Sequence, residues 1–293
     1  MGAWMMRGGT WQMLTLIGGA AALTLVGSGC ESVSEDLRSF AEDIAPPSPG
    51  EAARDMMDPS DPERRRRGTT LIANAPFGGA EVNVRAYADK VEHEQNAIAL
   101  AAAVRALGRH GQVEHAQLVA SRLTHDSRLV RWEAAKALQR LHDPAVVPAL
   151  LAVMRNDLED VDVKIAAAHA LGQYPEDRVF QVLISTAALN ARDLALNHVA
   201  QQSLTTLTGQ ELGDDPAVWM RWYAKADAPF AQQQAYIYPT YSRNETMIDH
   251  LTFWKEEQWE TPQQPAGLRP ADERSTYSEA NEEKQASVNN ADG

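Results

Sequence analysis

At 293 residues the chain is long enough for one large domain or two small ones, and its low aromatic share (6%) with abundant alanine suits closely packed helices better than a β-sandwich core. A net charge of -13 excludes a general affinity for nucleic acid or for an anionic membrane surface. The single cysteine excludes an intrachain disulfide and a cysteine-based zinc cage.

The chain begins with Met1 and Arg7 as a weakly positive flank, an apolar run from Trp11 to Val26, and then Gly27-Ser28-Gly29-Cys30. A positive flank, a short apolar core and small residues before a cut site describe a secretory signal peptide over residues 1–29. Because it ends on small residues and cysteine, the segment resembles a bacterial lipoprotein signal. The resemblance implies that Cys30 is lipidated and becomes the new N-terminus. The leucine usual three residues before that cysteine is Gly27 here, with Leu25 and Val26 just ahead of it. Plain secretion and an uncleaved helical anchor are the alternatives; the run is short for a span and broken by Gly18, Gly19 and Gly27. Each version puts the rest of the chain outside the cytoplasm. Glu31 stands where a retention-type Asp would, which favours the outer membrane over the plasma membrane, periplasmic side in either case.

Residues 30–67 read as a flexible tether. They are acidic and carry the breaker clusters Pro46-Pro47-Ser48-Pro49-Gly50 and Asp58-Pro59-Ser60-Asp61-Pro62. Arg64-Arg65-Arg66-Arg67 ends this stretch, either as a solvated basic linker or as a local contact to an acidic partner or lipid headgroup. Residues 68–94 form an N-terminal lead-in or capping segment, within which Val84, Tyr87, Ala88 and Val91 give a helix over 81–91 one apolar face.

From 95 to 210 the sequence repeats. Ala99 to Gly108, Val130 to Leu138 and Val163 to Gly172 say nearly the same thing, and Leu196 to Leu204 is a weaker echo. Leu107, Leu138 and Leu171 recur at the spacing of a short helical hairpin, the mark of stacked repeats. Alanines three to four residues before each marker leucine share its helical face and permit close helix approach. Gly108, His142-Asp143-Pro144 and Gly172 to Pro175 read as stops. Second helices follow over 113–123, 146–154 and 178–189, each with one apolar stripe.

Asp126, Val130-Arg131, two alanines, Leu138, Asp143-Pro144 and a second helix with paired leucines resemble the HEAT repeat, in the short bacterial form also found in phycobilisome lyase subunits. The likeness is clear for two units (126–156 and 157–189). It weakens in the flanking units, where end-capping repeats are expected to deviate. It implies an all-α, right-handed solenoid of about four hairpins with disordered termini. It also implies a ladder of charged residues along the stack, at the places held here by Asp126, Arg131 and Lys164.

Residues 211–262 read as a C-terminal cap and an aromatic arm. Asp215-Pro216 starts a helix in which Trp219, Trp222 and Tyr223 seal the last repeat, or form an aromatic ligand patch. This stretch is similar to the tail that follows HEAT-like repeats in planctomycete-type secreted proteins. The arm beyond it, with Tyr236, Tyr238, Tyr241, Phe253, Trp254 and Trp259, either packs along the solenoid or docks a partner or glycan. Residues 263–293 read as a disordered tail.

No Gly-rich phosphate loop, His-Glu-x-x-His or Gly-x-Ser-x-Gly occurs, so no catalytic site and no cofactor are expected. His110, His115 and His142 at turns, and Asp157, Glu159, Asp160 and Asp162 in one loop, are the nearest approaches to metal sites; their plain reading is solvated or capping residues. The expectation is therefore a non-enzymatic, lipid-anchored cell-envelope scaffold. Its concave surface, built by second helices, meets a protein partner through Gln112, Glu114, Gln117, Arg122, Arg155 and Gln181. A peptidoglycan- or glycan-binding arm and a lyase-like accessory factor are the alternatives. The sequence does not specify the oligomeric state.

Overall fold

The computed structural model describes residues 48–189, 193–240 and 263–268. The signal segment, Cys30 and the tether up to residue 47 lie outside the described residues, as do the arm over 241–262 and the tail from 269. Among the described residues the chain forms eleven α-helices and no β-strand, with one isolated bridge between Leu141 and Ala266.

The helices are α1 (Pro49–Met56), α2 (Pro62–Asn74), α3 (Glu81–His93), α4 (Ala97–His110), α5 (Ala116–Ala120) and α6 (Arg128–Ala137). They continue with α7 (Val147–Arg155), α8 (Val161–Leu171), α9 (Asp177–Leu189), α10 (Leu194–Thr208) and α11 (Pro216–Tyr223). In chain order they alternate as the first and second helices of five repeats, α2/α3, α4/α5, α6/α7, α8/α9 and α10/α11, and the second helices α3, α7 and α9 pack chiefly on the first helix of the next repeat. The first helices pack in the order α2, α4, α6, α8, α10, and the second helices follow beside them. The described residues thus form an α-solenoid of stacked helical repeats, with one repeat more than the sequence reading placed in its array. The marker leucines Leu107, Leu138, Leu171 and Leu204 are all fully buried, and Ala103, Ala134, Ala135, Ala167 and Ala168 lie between the helices with them.

The added hairpin corrects the tether. Residues 48–67 carry α1 and the first half of α2. Two prolines that read as breakers sit in the first turns of these helices, where a missing N–H costs nothing. Ser48 closes a capping box with Glu51, and the Asp61 carboxylate accepts from the backbone N–H groups of Glu63 and Arg64. Gly68 of α2 meets α1 so closely that a Cβ there would stand 2.2 Å from the Met56 nitrogen. Each of the four arginines faces a carboxylate of the chain itself. Arg65 pairs with Glu94 at 2.7 Å, Arg66 with Glu63, Arg67 with Asp55, and Arg64 with Asp58 at 3.5 Å. The basic cluster is neutralised, all round its helix, by carboxylates of the chain itself.

Gly108 also differs from its reading as a stop. It stays helical inside α4, and a Cβ there would lie 2.4 Å from the Ala137 Cβ, so its role is to let α4 and α6 touch. The second helix of that hairpin is broken into 3-10 turns at Val113–His115 and Ser121–Thr124 flanking α5. The Ser121 and Thr124 hydroxyls donate to carbonyls three residues back, which fits the tighter winding.

At the far end α11 closes the array as the aromatic cap expected. Trp219 is buried and its indole N–H donates to the Gly213 carbonyl at 2.9 Å. Tyr223 stacks on Phe180 with ring centres 4.0 Å apart, and its hydroxyl donates to Asp177.

Candidate functional site

Side-chain bonds between neighbouring repeats fix the direction of the first helices. At their N-terminal ends Arg65 reaches Glu94, Arg128 reaches Asp160 at 3.1 Å, and Arg131 grips Glu159 through two nitrogens at 2.9 Å. At their C-terminal ends His110 Nε2 donates to the Ala73 carbonyl at 2.6 Å, and Gln173 donates to the Leu138 carbonyl at 2.9 Å. Ser203 donates to the Ala168 carbonyl, also at 2.9 Å. All five first helices therefore run the same way, and the array has an N-terminal edge and a C-terminal edge.

The charged ladder occupies the N-terminal edge, with membership different from that implied by the family resemblance. Arg131 belongs to it, but its carboxylate is Glu159 of the next inter-repeat loop; its remaining nitrogen takes the His125 and Asp126 carbonyls at 2.8 Å. Asp126 contributes only its backbone, and Lys164 joins no ion pair among the described residues. The pair is largely desolvated, Glu159 being 4% exposed, so it is stronger than a surface contact. In the same ladder burial raises the Asp160 carboxyl, but the Arg128 guanidinium and the Asp162 N–H outweigh it and hold the group below its ordinary range.

A second ladder, of neutral side chains, lies deeper and was not anticipated. Gln139 donates to the Ala166 carbonyl at 2.8 Å, and Gln173 spans Leu138 and His142, whose Nδ1 stands 3.0 Å from its amide oxygen. His142 stacks on Tyr174, whose hydroxyl accepts from the Asp143 N–H. The signal available in sequence was a glutamine just past two successive marker leucines. Here His110 and His142 are structural residues of separate turns, and His115 bonds Gln112 within its own turn. The structure does not bring these three together. Among the described residues no group of three His, Cys, Asp or Glu is placed to hold a metal ion.

The residues expected to contact a partner sit on the second-helix layer. Gln112, Glu114, Gln117, Arg155 and Gln181 are exposed there; Arg122 is half-buried. Gln117 is engaged, donating to the Asp143 carboxylate of the next repeat at 2.9 Å. The other exposed members project from three successive hairpins.

The C-terminal edge is covered by the chain itself. Gly209 ends α10 at φ 70°, and a Cβ there would lie 2.2 Å from the Gln232 carbonyl oxygen, so the arm turns back directly over the helix end. Gln234 then donates to the Thr206 carbonyl at 2.8 Å, Tyr236 is buried, and Tyr238 lies under the Arg140 guanidinium at 5.1 Å. The described part of the arm thus packs along the solenoid. Residues 263–268, read as disordered tail, continue this cover. The Tyr238 N–H donates to Gln263, while Ala266 accepts from the His142 N–H and donates to the Arg140 carbonyl, both at 2.8 Å. Two paired backbone bonds and a buried Pro265 order a segment whose composition alone signals disorder. Between this strap, α8, α10 and α11 remains a cavity of about 770 Å³, lined by His169, His198, Gln202, Glu211 and Asp214 together with the apolar surfaces of Trp219 and Ile237. Burial, and then the neighbouring His198, push the His169 imidazole below its ordinary pKa.

Residues 85–161, from within α3 to the first residue of α8, match the family of HEAT repeats. Among solved structures, the chain is similar to human deoxyhypusine hydroxylase in complex with glycerol, at 16% identity over 52% of this chain and 70% of that one, with a TM-score of 0.36. It is also similar to the CpcE–CpcF complex of phycocyanin lyase from Nostoc sp. PCC7120, at 20% identity over 57% of this chain and 79% of that one, with a TM-score of 0.38. No curated protein matches the chain. No helix among the described residues is long and apolar enough to cross a membrane.

Proposed function

We propose that this chain is a non-enzymatic scaffold that binds a protein partner and is held at the extracytoplasmic face of the cell envelope by a lipid on Cys30. The carrying observation is the second-helix layer, where Glu114, Arg155 and Gln181 of three successive HEAT-type hairpins stand exposed on a rigid array. Repeat arrays of this kind present long continuous surfaces, and the fold by itself fixes no chemistry. The glycan-binding alternative loses ground in the described part of the arm, since Tyr236 and Tyr238 are spent on packing. The lyase-like alternative rests on likeness of fold.

The test is crosslinking in the native cells followed by mass spectrometry, comparing the wild type with the triple variant Glu114→Arg/Arg155→Glu/Gln181→Arg. The reading requires a reproducible crosslinked protein that the variant loses while its thermal melt is unchanged. An unchanged set of crosslinks refutes it. Cys30→Ser tests the anchor separately by fractionation: the protein should leave the membrane fraction, and a variant that stays there with its N-terminus intact points to an uncleaved helix.

A further inference from the structure

The backbone from Arg140 to His142 follows α6, and residues 263–268 lie against it as a bound peptide would. Ala266 forms a parallel bridge with Leu141. Its N–H donates to the Arg140 carbonyl and its carbonyl accepts from the His142 N–H, both at 2.8 Å. This is strand addition: an open piece of backbone takes a second piece through main-chain bonds, and the room around it sets what fits.

That room is narrow. Within 263–268 Pro265 alone is buried, and Ala266 packs on the edge of the core. Gly267 holds φ 87°, and a Cβ there would stand 2.8 Å from the His142 carbonyl oxygen and 3.0 Å from the Val113 Cβ. The Leu268 N–H turns back to the Pro265 carbonyl at 3.2 Å, a turn whose third residue takes the left-handed φ that Gly267 has. The seat therefore reads a proline and, two residues on, a glycine. Its walls come from neighbouring repeats, Val113 following α4 and residues 140–142 following α6.

The hold on the strap is slight. Gln263, Gln264 and Gly267 are exposed, and beyond the bonds to the turn the segment adds one from the Tyr238 N–H to Gln263 at 3.2 Å. Such a contact persists because the chain delivers it: a covalently joined segment meets its site at an effective concentration on the order of millimolar.

We propose that Val113 and residues 140–142 form a peptide-docking groove, filled in cis by residues 263–268, that takes an extended Pro-Ala-Gly segment of a partner protein when the strap lifts. Backbone groups and the lack of space for a Cβ do the reading, so nothing in the seat requires the ligand to belong to this chain. The groove is a second surface beside the second-helix layer, and it rests on the scaffold reading only in having a partner.

The probe is the peptide acetyl-Gln-Gln-Pro-Ala-Gly-Leu-amide, titrated against the full chain carrying Gly267→Val, with exchange of the His142 backbone amide as the readout. A strap that fills its groove about nine-tenths of the time at that effective concentration corresponds to a Kd of about 0.1 mM. The peptide should bind the variant with about that Kd and restore slow exchange of His142, while the wild type binds it about tenfold more weakly. A peptide with Val in place of Gly should bind neither. A His142 amide still protected in the variant alone means that glycine is not read, and it overturns the groove. So does a freed amide that the peptide fails to protect at about ten times that Kd, equal binding of the two peptides, or equal binding to variant and wild type. A concentration-dependent dimer in sedimentation that Gly267→Val dissolves overturns it as well, since the occupant is then the strap of a second copy. The groove and the scaffold fail separately: peptide binding does not involve Glu114, Arg155 or Gln181, and the crosslinking variant leaves residues 263–268 intact.

Discussion

The two edges of this array are built from the same helices and finished in opposite ways. At the C-terminal edge every turn is answered by the chain. Gln173 and Ser203 close on carbonyls of the preceding repeat, and the strap through Gln234, Tyr238 and Ala266 lies over the turns. At the N-terminal edge ion pairs hold the repeats in register, and apolar side chains such as Leu158 and Leu194 stay in solvent. The difference teaches that one set of helices can be closed in two ways, by backbone and amide bonds at one edge and by ion pairs at the other. Among the described residues Leu194 and Leu158 stay exposed at the ion-paired edge, while Tyr236 and Pro265 are buried under the other.

The contrast can be broken from either side. The largest effect is expected at the N-terminal edge, from Arg131→Ala. That change leaves the Glu159 carboxylate desolvated without its cation and frees two carbonyls, so urea unfolding should show a loss of about 3 kcal/mol. At the other edge Gln173→Ala removes the amide that bonds the Leu138 carbonyl and the His142 imidazole and should cost about 2 kcal/mol in the same assay. Gly267→Val acts more locally. Gly267 holds φ 87°, and a Cβ would stand 2.8 Å from the His142 carbonyl oxygen, so the substitution should lift residues 263–268. Limited proteolysis should then cut near residue 268 several times faster, with global stability lowered by about 1 kcal/mol or less.

The smallest effect is a pH dependence beneath the strap. The folded pKa of His169 lies below its ordinary 6.5, so the unfolded chain takes up the proton first. Its contribution to stability is complete above pH 6.5 and declines as pH falls from there through the folded value. His169→Gln should remove that part of the slope of melting temperature against pH between 7 and 5; an unaltered slope assigns it to other groups.

The parts of this fold legible in the sequence were those that repeat. Leu107, Leu138 and Leu171 announce the stack because each fills the same layer, and Asp215-Pro216 before Trp219 announces the closing helix because capping is local chemistry. The first hairpin escaped for a physical reason: proline breaks a helix interior but starts a helix well, and Pro49 and Pro62 were read only in the first sense. The Ser48-to-Glu51 box and the Asp61 cap were the available signals. Gly108 was misread for a similar reason, since glycine stops helices and also lets them touch. Helix periodicity predicts the exposure of the second-helix positions, and all but Arg122 are exposed. The Arg131 ladder was found in kind but not in partner, because Glu159 reaches it from a loop whose path no periodicity encodes. The docking of residues 263–268 rests on backbone hydrogen bonds, which leave no mark in composition.

The most direct measurement is hydrogen exchange of the full chain, wild type against Gly267→Val. The Ala266 N–H donates to the Arg140 carbonyl and the His142 N–H to the Ala266 carbonyl. A C-terminal edge covered by the chain itself predicts that these two amides exchange slowly in the wild type and are released together in the variant, with residues 128–131 and 158–162 unchanged. Fast exchange of both amides in the wild type, or release at 128–131 in the variant, would contradict the account.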